Sequence, residues 1–475
     1  MKTTPYKHIH FVGIKGVAMT SLALYCTDQG IKVTGSDVEG VFPTQHVLDK
    51  ALIPITIGFT AETIKKQKSL DLVIYTGAHD GKDNIEVVTA VDRGIPVMPH
   101  GQALGVMMDG KRQISIAGSH GKTTTSAMLA TIFSVANIDP SYAIGCGTIL
   151  GLGNPGHYGK GNVFIAEADE YMTDPGHDKK PRFLWQHPEL LVVTNIDYDH
   201  PDAYADLKDV QQAFITLQKQ MTGRKTTIVN HDDVPSQVLC VGGSHTVTYG
   251  YSNGSEYQIT HVSFEEGRTF FSVSVRGTAI GEFILTVPGK HNILNGLAAL
   301  VAAHEFGLSY EAIRKGLLQF AGAKRRLELM YTNKHIRIYD DYAHHPHEIV
   351  ASLDALRSWY PKNRIITIFQ PHTYSRTASP LSDFAKSFSK SDVILVADIY
   401  PSARETVRTD VTSAKLVEEI AKNHANAQYI KNLPGALSYI KTYLSPGDII
   451  VCMGAGDIYE WGYAIASNIK LTYDK

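Results

Sequence analysis

Along most of the chain, short runs of apolar residues alternate with stretches in which apolar positions recur at helical spacing, the pattern of stacked α/β units. The apolar runs end at glycines or small polar turns and fall into three blocks. The first runs from HIHFVGIKGVAMTSLALYC through IKVTGSD and DLVIYTGA to about residue 108. It predicts a Rossmann-like nucleotide fold, with Gly13, Lys15 and Gly16 on the first strand-to-helix turn. The second opens at QISIAGSHGKTTTSAMLATIF and continues through NVFIAEADE and LLVVTNIDYDH. The period then changes: HVSFEEGRTFFSVSVRG alternates at every second residue around Glu265-Glu266-Gly267, which predicts an antiparallel hairpin flap. A third block starts near Glu328, with RIITIFQ, DVILVAD and DIIVCMGAG as buried strands. No low-complexity linker or short-period repeat separates them.

Composition narrows the partners. A chain of 475 residues is too long for one core, and several domains are expected. Lys plus Arg is 45 against 47 for Asp plus Glu, so the net charge of -2 carries no footprint of nucleic acid or of a polybasic membrane anchor. The partners are expected to be small molecules. Cys26, Cys146, Cys240 and Cys452 lie far apart with no Cys-x-x-Cys pair, which argues against a disulfide framework and a structural zinc site. With no signal-peptide core and no apolar run long enough to span a bilayer, the expected location is the cytoplasm.

The chemistry begins at GSHGKTTT. Ile114, Ile116 and Ala117 read as a strand, and Thr125 to Ala130 open a helical pattern, so the glycines lie on a strand-to-helix turn, the context of a phosphate loop. The usual loop places a glycine five residues before the second one; here that position is Ile116 and Gly118 supplies the glycine, so the loop is a shortened one. Backbone N–H groups at such a turn can ring a β-phosphate, the Lys122 charge can reach the β- and γ-phosphates, and the Thr123 hydroxyl can bind Mg²⁺. Glu167 ends one strand and His200 follows another, both at carboxyl ends of strands, where open α/β sheets bind ligands. Taken singly, each also reads as a solvated loop charge. Together with the loop they form a candidate metal and phosphate site.

GSHGKTTT, EADE, TNIDYDH, GKHNILNGLAA, KRRLEL, DDYAHHP and PHTYSRT occur in the order, and at roughly the spacing, found in the Mur ligases of peptidoglycan synthesis. The resemblance covers nearly the whole chain, including GIKGVAM and TGSD. It implies an α/β, three-domain Mur ligase architecture: a Rossmann-like UDP-sugar domain over 1–108, a P-loop ATP domain with a β-hairpin flap over 109–326, and a Rossmann-like amino-acid domain over 327–475. It further implies a cytoplasmic, ATP-dependent and Mg²⁺-dependent ligase, a monomer or homodimer. Such an enzyme activates the carboxylate of UDP-N-acetylmuramate as an acyl phosphate and couples it to an amine.

Carried onto this chain, the resemblance assigns the triphosphate to Gly118, Ser119, His120, Gly121, Lys122, Thr123 and Thr124, and the metal to Thr123, Glu167 and His200. Asn292 and Asn295 resemble nucleotide-contacting asparagines, although His291-Asn292 also reads as a helix cap. Arg326 is similar to an arginine that reaches ATP at the hinge, and Asp341 to an acid that fixes the ribose or the closed state. Gly13, Lys15, Gly16, Ser36 and Asp37 are the expected UDP-sugar contacts; Lys15 and Ala18 depart from the family's more glycine-rich turn. His344, His372 and Arg376 are the expected amino-acid contacts. His345 follows His344 and is expected to point elsewhere, and Thr373 stands where some alanine ligases carry a further arginine.

Other branches carry a carbamylated lysine where this chain has Phe214 and Ile215, which implies the branch that adds L-alanine. Against it, EADEYMTDPGHDKKPRFLWQHPEL is longer than the usual segment and resembles the murein tripeptide ligases of cell-wall recycling, the alternative. A dinucleotide dehydrogenase does not explain the second, triphosphate loop. A binding protein on an inactive ligase scaffold would be expected to lose Lys122, Glu167 or Arg326, and all three are present.

Overall fold

The computed structural model describes residues 5–40, 42–198, 200, 202–241, 245–265, 267–372, 381–400 and 411–473. Thr373 and Arg376 lie outside the described residues. The strands form three main sheets. In the first, β1 (His8–Val12), β2 (Lys32–Asp37), β3 (Ile55–Ile57), β4 (Leu72–Tyr75) and β5 (Val97–Pro99) are parallel in the order β3-β2-β1-β4-β5. The order reverses between β1 and β4, and a doubly wound sheet opens its ligand crevice at such a point. The Rossmann-like expectation for this block holds.

The second sheet has ten strands: β6 (Arg112–Ala117), β7 (Ser141–Ala143), β8 (Gly156–His157), β9 (Val163–Ala168), β12 (Leu190–Val193), β13 (Thr226–Asn230), β14 (His245–Gly250), β15 (Tyr257–Glu265), β16 (Arg268–Val275) and β17 (Thr278–Leu285). At its centre β6 lies parallel between β9 and β12, so the loop after β6 and the ends of β9 and β12 meet at one edge. The alternating stretch is there as neighbouring strands β15 and β16, and a connection of only two residues requires them to run antiparallel. A separate hairpin pairs β10 (Met172–Asp174) with β11 (Asp178–Pro181). The third sheet comprises β18 (Glu328–Thr332), β19 (Arg337–Asp341), β20 (Ile365–Phe369), β21 (Val393–Val396), β22 (Ala427–Tyr429) and β23 (Ile449–Met453) in the order β18-β19-β23-β20-β21-β22. It is parallel except for the β18–β19 pair.

Two compact units result, one taking in Met1–Ser263, Phe270–Thr286 and His291–Ala323, the other Phe264–Thr269, Val287–Lys290 and Lys324–Lys475. The first sheet and all of the second except the β15–β16 tip therefore share a unit. Their shared core explains why: Tyr25, Leu22 and Met107 from helices of the first sheet pack in one cluster with Phe164 and Ala166 of β9, and the Tyr25 and Phe164 rings lie 5.0 Å apart. Burial of a side chain such as Leu22, Met107 or Phe164 stabilises the fold by about 1.5–3 kcal/mol. In the second unit Ile349, Leu353 and Leu356 of the helix Pro346–Trp359 cover Phe369 and Val451 of the sheet. Phe214 is fully buried among Phe183, Leu217 and Leu191, so the position that resembles a modified lysine site elsewhere is here a core position.

Candidate active site

The helix after β6 spans Lys122–Val135 and begins three residues before the apolar pattern at Thr125 predicts. Gly121, at φ +85, is its N-cap, and Thr125 N–H is the first to bond back, to Gly121 O at 3.0 Å. The N–H groups of Gly121, Lys122, Thr123 and Thr124 are thus the orphan donors of a helix N-terminus, the arrangement that binds phosphate. Both glycines are required. A Cβ on Gly118, at φ +136, would lie 2.0 Å from Thr194 Oγ1, and one on Gly121 would lie 2.4 Å from Asn295 Oδ1. Ser119 and His120 have their N–H groups engaged: Ser119 N–H donates to Asn195 O at 3.2 Å and His120 N–H to Asn195 Oδ1 at 2.8 Å, so the unengaged backbone donors of the turn are those of Gly121–Thr124.

Lys122 Nζ donates to Gly118 O at 2.5 Å and to Glu170 Oε2 at 2.9 Å. Burial alone favours its neutral form, but the carboxylates of Glu170, Asp169 and Glu167 outweigh that and hold its pKa above the ordinary value. Thr123 Oγ1 donates to Glu167 Oε2 at 3.1 Å, and Gly145 N–H to Glu167 Oε1 at 2.6 Å. Burial pushes the Glu167 carboxyl up despite these bonds. Asp169 is kept below the usual range: burial opposes its ionisation, yet the charges of Arg182 and Lys122 prevail, with Arg182 Nη1 at 2.8 Å. His200 sits at φ +64 with its ring 4.7 Å from that of Tyr171, next in sequence to Glu170.

A hard cation fits these donors. Thr123 Oγ1, Glu167 Oε2 and Glu170 Oε1 are all oxygens, and Glu170 Oε1 is buried with no hydrogen-bond partner. Among the described residues no group of three or more His, Cys, Asp or Glu side chains is arranged to hold a metal by itself. Mg²⁺ is ordinarily held by one or two carboxylates together with substrate phosphates and waters, so a partial protein shell is what such a site requires.

A cavity of about 240 Å³ joins the two sheets of this unit. Lys122, Glu167, Asp169 and Arg182 line one side; Val17, Ala18 and His100, at the N-termini of the helices Val17–Asp28 and His100–Met108, line the other. His100 Nε2 lies 3.1 Å from Ala18 O, and burial, aided by Arg182, lowers its pKa to about 4, so the ring is neutral.

The expected first-sheet contacts Gly13, Lys15, Gly16, Ser36 and Asp37 are not themselves among the residues lining this cavity. Gly13, at φ +82, and Ile14 donate their N–H groups to Ser36 O, and the Ser36 hydroxyl is turned to Glu86. Asp37 accepts Lys15 N–H at 2.7 Å and Val38 N–H at 2.7 Å. The Lys15 ammonium, an expected UDP-sugar contact, is bonded to Val38 O at 3.1 Å and Gly40 O at 3.3 Å. Gly16 caps the helix Val17–Asp28, whose first-turn N–H groups remain the anion donors of this turn.

Asn295 Nδ2 lies 3.2 Å from Asn292 Oδ1, beside Gly121. The helix Lys290–Phe306 starts before Asn292, which is therefore inside the first turn and not its cap. In the second unit Arg326 is exposed, whereas Arg325 is turned inward, with Nε 3.2 Å from Asp340 Oδ2 and Nη2 donating to Gly454 O at 2.6 Å. Asp341 is buried and accepts from Leu327 N–H at 2.8 Å, Ala343 N–H at 2.8 Å and Ser352 Oγ at 3.1 Å. Its oxygens anchor the turn that follows Arg326, with two donors on Oδ1 and one on Oδ2. His344 and His345 diverge as expected: the first ring stands edge-on to His372, with centroids 5.9 Å apart, and the second stacks on His347.

Sequence reasoning left Glu170, Asp169, Asn195, Arg182 and His100 unassigned. The first two were visible as the further acids of EADE, and Asn195 as part of TNID; nothing local marked Arg182 or His100.

A glycine-framed helix N-terminus, a lysine held by a carboxylate and a threonine bonded to a second carboxylate define a nucleoside-triphosphate-binding protein of the phosphate-loop class. Profiles described as "Mur ligase family, catalytic domain", "Mur ligase middle domain" and "Mur ligase, glutamate ligase domain" match residues 8–112, 116–303 and 325–456. The UDP-N-acetylmuramate--L-alanine ligase of Desulfitobacterium hafniense (strain Y51) is 38% identical over 96% of this chain and 99% of its own length. The solved UDP-N-acetylmuramate-alanine ligase of Thermotoga maritima superposes with a TM-score of 0.81 at 27% identity, covering 98% of this chain and 99% of its own. A murein peptide ligase from Psychrobacter arcticus 273-4 gives 0.65 at 25% identity, covering 97% and 98%. The chain belongs to the Mur ligase family.

Proposed function

We propose that this protein joins L-alanine to the lactyl carboxylate of UDP-N-acetylmuramate, with ATP converted to ADP and phosphate, in peptidoglycan precursor synthesis. One observation carries the reading: a single cavity is lined both by Lys122 and Glu167 of the phosphate loop region and by the helix that follows the first nucleotide turn. A carboxylate bound in that cavity lies within reach of a γ-phosphate. The family relatives named for this reaction, matched over nearly their full length, supply the substrates.

In this reading the bounds 1–108, 109–326 and 327–475 separate sugar-nucleotide, ATP and amino-acid domains. The N–H groups of Gly121–Thr124 hold the phosphates and Lys122 neutralises charge on the migrating phosphoryl group. The carboxylate attacks the γ-phosphorus, ADP leaves, the amine adds to the acyl phosphate, and phosphate departs. Thr123, Glu167 and His200 would hold Mg²⁺, which when bound offsets phosphate charge and orients its oxygens. Asn292, Asn295 and Arg326 serve the nucleotide, and His344, His372 and Arg376 the amino acid. The reaction is assigned to the cytoplasm.

The β10–β11 hairpin, formed by the segment whose length exceeds that of the usual alanine ligase, favours a second reading: ligation of L-Ala-γ-D-Glu-meso-diaminopimelate to the same carboxylate. Phosphate release from ATP, Mg²⁺ and UDP-N-acetylmuramate with L-alanine or the tripeptide as amine separates the two. Turnover with alanine supports the first, turnover with the tripeptide alone moves the protein to the second, and release with neither overturns both.

A further inference from the structure

The β10–β11 hairpin leaves the central sheet just after Glu170, and its polar contacts run to the first sheet. Asp174 is buried. Its Oδ1 accepts Gly176 N–H at 3.2 Å, closing the hairpin's own turn, and its Oδ2 accepts Lys82 N–H at 2.9 Å, 92 positions away in sequence. His177 Nε2 adds a contact to Asp83 Oδ2 at 2.8 Å. Two loop glycines make room for the hairpin. A Cβ on Gly81, at φ +51, would lie 2.5 Å from Asp174 Oδ1, and one on Gly77 would lie 2.9 Å from Thr173 O.

The loop so held is the one that follows β4 and walls the crevice beside β1. A Cβ on Gly13 would meet Thr76 Cγ2 at 2.5 Å, and His79 Nε2 lies 3.7 Å from Asp37 Oδ1. His79 at φ +55 and Asp80 at φ +67 both adopt left-handed backbone, a conformation that side-chain-bearing residues keep only where their surroundings impose it. The Asp174 bond to Lys82 N–H, a charge-assisted one, is placed to impose it.

We propose that Asp174 is a positioning residue for the sugar-nucleotide substrate: by pinning the 76–84 loop from the β10–β11 hairpin, it presets the crevice for a nucleoside diphosphate sugar and links it to the carboxylates beside the phosphate loop. The ligand class rests on the proposed function; the pin itself does not. Asp174→Asn has one acceptor oxygen for two N–H donors; with that oxygen kept on Gly176 N–H, its NH₂ group faces Lys82 N–H and the hairpin-to-loop bond is lost, while the His177–Asp83 contact stays.

The expected result is a tenfold or greater weakening of UDP-N-acetylmuramate binding by calorimetry, with kcat and the KM for ATP within twofold of wild type. Amide exchange over residues 76–84 quickens while exchange at the hairpin turn is unchanged. Gly81→Ala, whose methyl group would press on both oxygens of the same carboxylate, likewise weakens sugar-nucleotide binding, with exchange quickened at the loop and at the hairpin turn, and serves if Asp174→Asn does not fold. Unchanged sugar-nucleotide affinity in a folded variant overturns the proposal, whatever the exchange shows. If the wild type binds no UDP-N-acetylmuramate, the functional reading fails, and loop exchange alone then decides: quickened exchange upholds the pin and unchanged exchange overturns it.

Discussion

Lys122 Nζ lies 2.9 Å from Glu170 Oε2, so the cation of the phosphate loop is held by a carboxylate from the end of a neighbouring strand. A triphosphate must compete with Glu170 for that charge. Lys122→Ala should leave the fold intact and lower turnover roughly a hundredfold or more, since a lost contact to the transferring phosphoryl group costs about 3 kcal/mol. Circular dichroism with a phosphate-release assay checks both halves, and retention of a tenth of wild-type turnover would count against the assignment.

Glu170→Gln removes the competing charge and keeps an acceptor oxygen. Binding of ATP without metal should tighten severalfold in this variant, while turnover with Mg²⁺ falls because an oxygen of the candidate metal shell is altered. Fluorescent-nucleotide titration with and without Mg²⁺ reads the two effects; equal affinities without metal would remove the competition argument.

Gly121→Ala places a methyl group 2.4 Å from Asn295 Oδ1 at a left-handed φ, which costs about 1–2 kcal/mol in backbone strain alone. ATP affinity should fall tenfold or more, and the melting temperature should fall with it. Normal affinity would show that the loop's donors do not depend on this turn.

Asp340 is buried, and that burial, together with Asp341 and Glu328 and against Arg325, raises its pKa to about 7. The folded state therefore holds a proton that the unfolded chain releases near pH 4, so the contribution to stability is full below that pH and is lost as pH rises to about 7. Asp340→Asn cannot make this loss. Thermal melts at pH 5 and pH 8 should show the variant gaining on wild type at the higher pH, and a pH-independent difference would contradict the assignment.

His100 gives the opposite sign. Its folded pKa of about 4 lies below the unfolded value of 6.5, so stability is full above pH 6.5 and declines as pH falls toward 4. His100→Gln, which offers a side-chain N–H for Ala18 O, should flatten that acid limb in a urea series from pH 7 to pH 4.5. An identical limb would place the titration elsewhere.

The sheets and the phosphate loop were legible because their signals are local: alternating period, glycines at strand ends, and Lys122-Thr123 on a turn. The sites built from distant segments were not. Nothing in TGSD tells that the Ser36 hydroxyl is taken by Glu86, 50 positions on, or that Lys15 turns to the carbonyls of Val38 and Gly40. Strand alternation puts Glu167 and Asp169 on one side of EADE, yet the partners that separate their roles, Thr123 and Arg182, come from other parts of the chain. Likewise KRRLEL offers two adjacent arginines, and only packing against Asp340 decides that Arg325 is the inward one.

Gly77, Gly81 and Asp174 have a consequence for how this chain can have diverged. Two bare backbone positions in the loop after β4 face a carbonyl and a carboxylate of the β10–β11 hairpin that leave no room for a Cβ, and at Gly81 the left-handed φ of +51 adds to the demand. Grafting the hairpin into a relative that carries side chains at those two positions would create a collision, and deleting it here would leave a strained loop unsupported. The three residues are a lock whose parts must be inherited together, and a lineage carrying one without the others should be rare.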